Sequence, residues 1–131
     1  MRLTEKEMTA ALTGVAKQVV AAQDKGVRKG RVTPDELWES MTRYQRYVVL
    51  NGLGDQVLPV LVALPDAEVA IGERPAYSDE QITEAVEAQL GDEGRLRRKM
   101  LVTARVALVR IALESIPPKT DPDAFVVPDF L

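Results

Sequence analysis

The stretch Met100-Leu101-Val102-Thr103-Ala104-Arg105-Val106-Ala107-Leu108-Val109-Arg110-Ile111-Ala112-Leu113 decides the fold of this 131-residue chain. Arg105 and Arg110 are its only strongly polar side chains. A helix that is apolar nearly all round belongs at the centre of a bundle or in an interface between copies. The remaining segments are therefore expected to pack on it. The pattern predicts one long helix from about Arg95 to Ser115, ended by Ile116-Pro117-Pro118, because proline disfavours the helical conformation in the residue before it.

Upstream of this helix, Ser78 and Gln81 have the spacing of a capping box, and Asp79 and Glu80 sit where the positive end of a helix dipole favours carboxylates. Ile82, Ala85, Val86 and Leu90 are expected to face inward, with Glu80, Glu84 and Glu87 on the opposite side. Gly91-Asp92-Glu93-Gly94 breaks the chain before Arg95. Downstream, Lys119 to Leu131 carries Phe125, Val126, Val127, Phe130 and Leu131 among Pro122 and Pro128. So apolar an end is expected to lie in a groove, as an extended tail 117–131 docked on the domain.

The amino-terminal half reads as helices too. Residues 1–3 form the end of the chain, and Thr4 with Glu7 makes a capping box. From there Met8, Leu12, Val15 and Val19 recur at helical spacing, widened by Ala11, Ala16 and Val20. Asp24 to Val32 is a basic turn containing Gly26 and Gly30. Thr33-Pro34-Asp35-Glu36 combines an N-cap hydroxyl, a proline in the first turn and a capping-box glutamate, so a helix starts there. Its apolar face is expected to run through Leu37, Met41, Tyr44 and Val48 beside Trp38, ending near Asn51-Gly52. From Leu53 to Gly72 two readings compete. Either Asp55 caps a short helix through Leu64, which is favoured, or a small hairpin spans 60–71 across Pro65-Asp66. Residues 73–77 then form a linker. The expected architecture is all-α: one domain, 1–131, of four to five helices.

Composition narrows the chemistry. The chain has no histidine and no cysteine, which removes the commonest metal ligand, thiolate nucleophiles, histidine-dependent triads and disulfide scaffolds. The carboxylate groups Asp35/Glu36/Glu39, Asp79/Glu80/Glu84 and Asp92/Glu93 occupy first-turn or loop positions, where capping and solvation account for them. No calcium-loop spacing occurs. Ser40, Ser78 and Ser115 lack the flanking glycines of a nucleophile elbow. Gly52-Leu53-Gly54 lacks the third glycine of a dinucleotide fingerprint. No catalytic, cofactor or metal site is expected, and the chain reads as a non-enzyme.

Met1 to Glu7 does not resemble a secretory signal, so a cytoplasmic location is expected. The window from Val48 to Leu64 is interrupted by Asn51, Gly52, Gly54, Asp55, Gln56 and Pro59, so no membrane span is expected.

The net charge of −3 conceals an uneven distribution. Residues 17–46 hold seven basic and four acidic side chains, 47–94 one and ten, and 95–110 six and none. Such blocks are ordinarily solvated faces. Here they also suggest uses. The segment 78–110 reads as helix, turn, helix with Arg95, Arg97, Arg98 and Lys99 opening the second helix, where a recognition helix presents cations to a nucleic acid. Arg43-Tyr44-Gln45-Arg46-Tyr47 and the basic turn would add phosphate contacts. Against this, the first helix of the pair is acidic and the second turns apolar after one turn. Arg105 and Arg110, set in an apolar helix, need carboxylate partners such as Glu84 or Glu87, or an anionic ligand. The favoured reading is a helical interaction or scaffold protein, partnered by itself as a homodimer or by another protein. A nucleic-acid binder using the 95–99 cluster is the alternative, and an anionic small-molecule binder the third.

Overall fold

The computed structural model describes residues 1–120, and these are all-helical, with no strand among the described residues. The helices are α1 (Glu5–Gln23), α2 (Lys25–Arg28), α3 (Pro34–Ser40), α4 (Arg43–Ala63), α5 (Asp79–Ala88) and α6 (Arg95–Ser115). Six helices rather than four or five arise because the basic turn closes one helical turn of its own. Asp24 caps it, its Oδ2 accepting from the Val27 N–H at 3.0 Å. The expected docked tail falls mainly on residues 121–131, which lie outside the described residues.

Local capping chemistry sets the starts of the longer helices. Thr4 and Glu7 exchange their side-chain and backbone bonds at 3.1 and 3.0 Å, and Ser78 and Gln81 do the same at 3.2 and 2.9 Å. Thr33 Oγ1 accepts from the Glu36 N–H, with Pro34 in the first turn. Each satisfies backbone donors that a helix terminus otherwise leaves unpaired.

The middle of the chain departs from expectation. The helix begun at Thr33 stops at Ser40 instead of reaching Asn51-Gly52, and Met41 and Thr42 are extended. Thr42 and Gln45 form a further capping box that starts α4. This break resets the helical phase, so Leu37, Met41, Tyr44 and Val48 do not share one buried face. Tyr44 and Val48 are exposed. Helix α4 then runs through Gly52, Gly54 and Pro59 without interruption, and Asp55 is an interior residue rather than a cap. The hairpin at 60–71 is absent, with Val60 to Ala63 completing α4. Packing explains why the breakers do not break. Leu53, Val57, Val60, Leu61 and Leu64 carry a helical stripe into the core. Burying a side chain of that size is worth about 1.5–3 kcal/mol, against about 1 kcal/mol for a glycine. Pro59 removes one backbone bond, to Asp55, but both residues lie on the exposed side where water meets the freed carbonyl.

Helices α1, α3, α4, α5 and α6 contribute to one core of Ala11, Val15, Ala16, Trp38, Leu53, Val57, Val60, Leu61, Leu64, Ile82, Ala85, Val86, Val109, Ala112, Leu113 and Ile116. No polar or charged residue among the described residues is buried. Helix α6 packs against α1, α5 and α4, but α2 and α3 pack mainly on α1, so the hub expected of α6 is shared with α1. Its burial, however, is confined to one end: Val109, Ala112 and Leu113 are buried, whereas Leu96 is 75% and Met100 66% exposed. Helices α1 and α6 come close at Gly14, where a Cβ would overlap the side chain of Ser115.

The segment after α4 is tied down rather than a free linker. Tyr77 Oη donates to the Pro65 carbonyl at 2.6 Å, and Arg74 Nε to the Ile116 carbonyl at 2.7 Å. The Gly72 N–H donates to Lys119 and the Lys119 N–H to Glu73, both at 2.8 Å. Gly72, at φ 86°, adopts the left-handed backbone that this meeting of segments requires.

Candidate interaction surface

The sequence singles out Arg95, Arg97, Arg98, Lys99, Arg105 and Arg110, and the structure gives them different surroundings. Arg98 turns back onto the preceding helix. Its guanidinium donates to the carbonyls of Gly91 at 3.0 Å and Glu87 at 3.2 Å, and Glu93 lies 3.8 Å away. Helix α5 has no basic residue in its own last turn, and Arg98 places a cation there: the Glu87 carbonyl, which also accepts from the Leu90 N–H at 3.1 Å, and the Gly91 carbonyl in the loop beyond the helix both take its bonds. That role is architectural. Arg110 pairs with Asp79, in the first turn of α5, and not with Glu84 or Glu87. The two contacts, 98 with 87 and 110 with 79, make α5 and α6 antiparallel neighbours. Glu84 and Glu87 stand on the outer side of α5, opposite Ile82, Ala85 and Val86, and are out of reach of that guanidinium.

Arg105 is half-buried, and its Nε is shut off from solvent without a hydrogen-bond partner. Arg105 and Arg110 are five positions apart on the helix, which turns them roughly 140° from one another. They do not converge on one anion. Arg95, Arg97 and Lys99 are exposed and have no ion-pair partner among the described residues. They flank Leu96 and Met100, so the first two turns of α6 present cations and apolar side chains together. Nothing in the sequence distinguishes Leu96 and Met100 from core residues, since four-residue spacing on a helix describes both.

Other cations stand on the 25–31 turn and at the start of α4. Lys25, Arg28, Lys29, Arg31 and Arg43 are exposed, while Arg46 donates through Nε and Nη2 to the Met41 carbonyl. Tyr44 is 74% exposed, and Tyr47, Val48 and Val62 also face outward from α4. Below them an open, mostly apolar groove of about 800 Å³ is lined by Leu12, Tyr47, Leu50, Gly54, Leu58 and Val62. A second groove, about 1020 Å³, lies between the first residues, the 66–77 segment and Pro117 to Thr120. At its edge Tyr77 has its hydroxyl pKa raised by burial and then by the nearby Asp66 carboxylate.

The carboxylates considered for catalysis are separated and mostly solvated: Asp35 pairs with Lys17 at 2.9 Å, Asp79 with Arg110, and Glu36, Glu39, Glu80, Glu84 and Asp92 are exposed. Among the described residues no three acidic side chains are placed to hold a metal ion, and no helix is long and apolar enough to cross a membrane. Compared with known protein families, with characterised proteins and with solved structures, the chain matches none.

Proposed function

We propose that this chain is a non-enzymatic helical interaction protein that associates with itself. One observation carries the reading: large apolar side chains stand in solvent on two helices, Tyr44, Tyr47, Val48 and Val62 on α4 and Leu96 and Met100 on α6, beside a core that contains no buried polar or charged residue among the described residues. Scattered apolar residues are ordinary on a surface, but runs of them along one helix face mark a contact site. Helix faces, rather than a cleft holding converging polar groups, form the working surface. Sedimentation velocity across a hundredfold concentration range tests this. The expected result is a mass that rises from one chain to two, and a constant single-chain mass at all concentrations contradicts it.

A second reading is favoured by the exposure of Arg95, Arg97 and Lys99, which leaves three cations available to phosphates. A duplex binder would lose affinity steeply between 50 and 200 mM salt and again when these three are replaced by glutamine. Arg98 is spared in that variant because it caps α5. Absence of any salt-dependent binding removes this reading and leaves the first untouched.

A further inference from the structure

Self-association leaves open which surface meets which. Two neighbouring surfaces complement one another and do not satisfy each other within one chain. On α5, Glu80, Glu84 and Glu87 lie at spacings of four and three, one outward stripe opposite the buried Ile82, Ala85 and Val86. On the first two turns of α6, Arg95, Arg97 and Lys99 surround the exposed Leu96 and Met100. None of these six charges has an ion-pair partner among the described residues. The two surfaces adjoin, because Arg98 reaches the Glu87 carbonyl at 3.2 Å and closes that corner of the molecule.

We propose that this corner is the dimer interface, and that its occupant is a second copy of the chain related by a two-fold axis. The α6 cations of one copy face the α5 carboxylates of the other, and the same contact is repeated across the axis, with Leu96 and Met100 of both copies between them. This rests on the self-association reading above. Charge complementarity selects the occupant. A single surface of one sign would call for a foreign partner, whereas adjacent surfaces of opposite sign are self-complementary under a two-fold, the commonest symmetry of soluble oligomers. Apolar side chains at the centre and charges at the rim match the anatomy of such interfaces.

Charge exchange tests the proposal. One full-length variant carries Arg95→Glu, Arg97→Glu and Lys99→Glu, and the other Glu80→Lys, Glu84→Lys and Glu87→Lys. Each alone places like charges across both halves of the interface, and its dimer should be weaker by roughly tenfold or more. Mixed in equal amounts, the two restore opposite charges in both halves, and sedimentation should recover the dimer mass. If either variant alone keeps the wild-type dimer, or if the mixture stays monomeric, this surface is wrong although self-association stands. If the unaltered chain is monomeric throughout, both the surface and the reading beneath it fall. Should a charge variant lose helical circular dichroism, Met100→Cys in the otherwise cysteine-free chain decides: oxidation should link two copies there and not in a Val62→Cys control. The reverse pattern overturns the proposal.

Discussion

Helices α4 and α6 have the same length, 21 residues, and opposite reputations as sequences. Helix α4 contains two glycines and a proline, yet it buries Leu53, Gly54, Val57, Val60 and Leu61. Helix α6 contains neither residue and is apolar on almost every side beyond its first turn, yet it buries only Val109, Ala112 and Leu113 and leaves its first two turns in water. Burial follows from what lies alongside a segment. Helix α6 packs against α1, α4 and α5 and lends Val102 and Val106 to the edge of the core, while Leu96 and Met100 in its first two turns are left exposed. The same contrast separates a region that stabilises the fold from one free to make contacts with another molecule.

The largest effect should come from truncating each helix at a matched leucine. Leu61→Ala in α4 removes a fully buried side chain, and the cavity should cost about 2–5 kcal/mol in urea unfolding. Leu96→Ala in α6, measured at dilute concentration, should stay within about 0.5 kcal/mol of the unaltered chain. Equal losses at the two sites would show that the amino half of α6 is covered after all.

A smaller loss is expected where α1 meets the buried end of α6. Gly14→Ala adds a methyl group that collides with Ser115. The overlap should destabilise by about 1–3 kcal/mol, outweighing the gain of about 1 kcal/mol that alanine brings to a helix. Adding Ser115→Gly should recover part of the loss, since it removes the atoms in the way. Stabilisation by Gly14→Ala alone would mean that the two helices are not in close contact there.

Helix α4 should respond in the opposite sense at an open position. Nothing lies within 4 Å of a Cβ placed at Gly52, so Gly52→Ala should raise stability by about 0.5–1 kcal/mol in thermal unfolding, because alanine loses less backbone freedom. A decrease would indicate that α4 ends at Asn51-Gly52 in solution, as the local sequence suggests.

The smallest effect concerns the contact that anchors the chain beyond α4. The Tyr77 hydroxyl pKa is raised above its usual 10 by burial and by Asp66. The folded state therefore holds the neutral hydroxyl more tightly than the unfolded chain does. Its contribution is fully present below pH 10 and lost as the pH rises through the folded value. Tyr77→Phe gives up the bond to Pro65, but above pH 10 its stability should decline less steeply than that of the unaltered chain. Parallel declines would place the hydroxyl in open water.

The starts of α1, α3 and α5 were legible because each is local. Thr4 with Glu7, Thr33-Pro34-Asp35-Glu36, and Ser78 with Gln81 act across three residues and need no distant neighbour. The start of α4 carries the same signature at Thr42 and Gln45, but Met41, Tyr44 and Val48 mimic an uninterrupted apolar stripe across it. The candidate surface was legible in part. The cations at 95–99 and the carboxylates of α5 are plain in the chain, but the diversion of Arg98 to the α5 carbonyls and the pairing of Arg110 with Asp79 depend on how two helices are set side by side.

Composition and short-range pattern were enough to make the described residues all-helical, in a chain without histidine or thiol chemistry, and to mark where most helices begin, because capping and periodicity act over a few neighbouring residues. Where α3 stops, why α4 passes through Gly52, Gly54 and Pro59, and which half of α6 stays wet were settled by contacts between segments dozens of residues apart. Burial in the assembled core outweighs local preference at those points, and the surface left uncovered follows from the same competition.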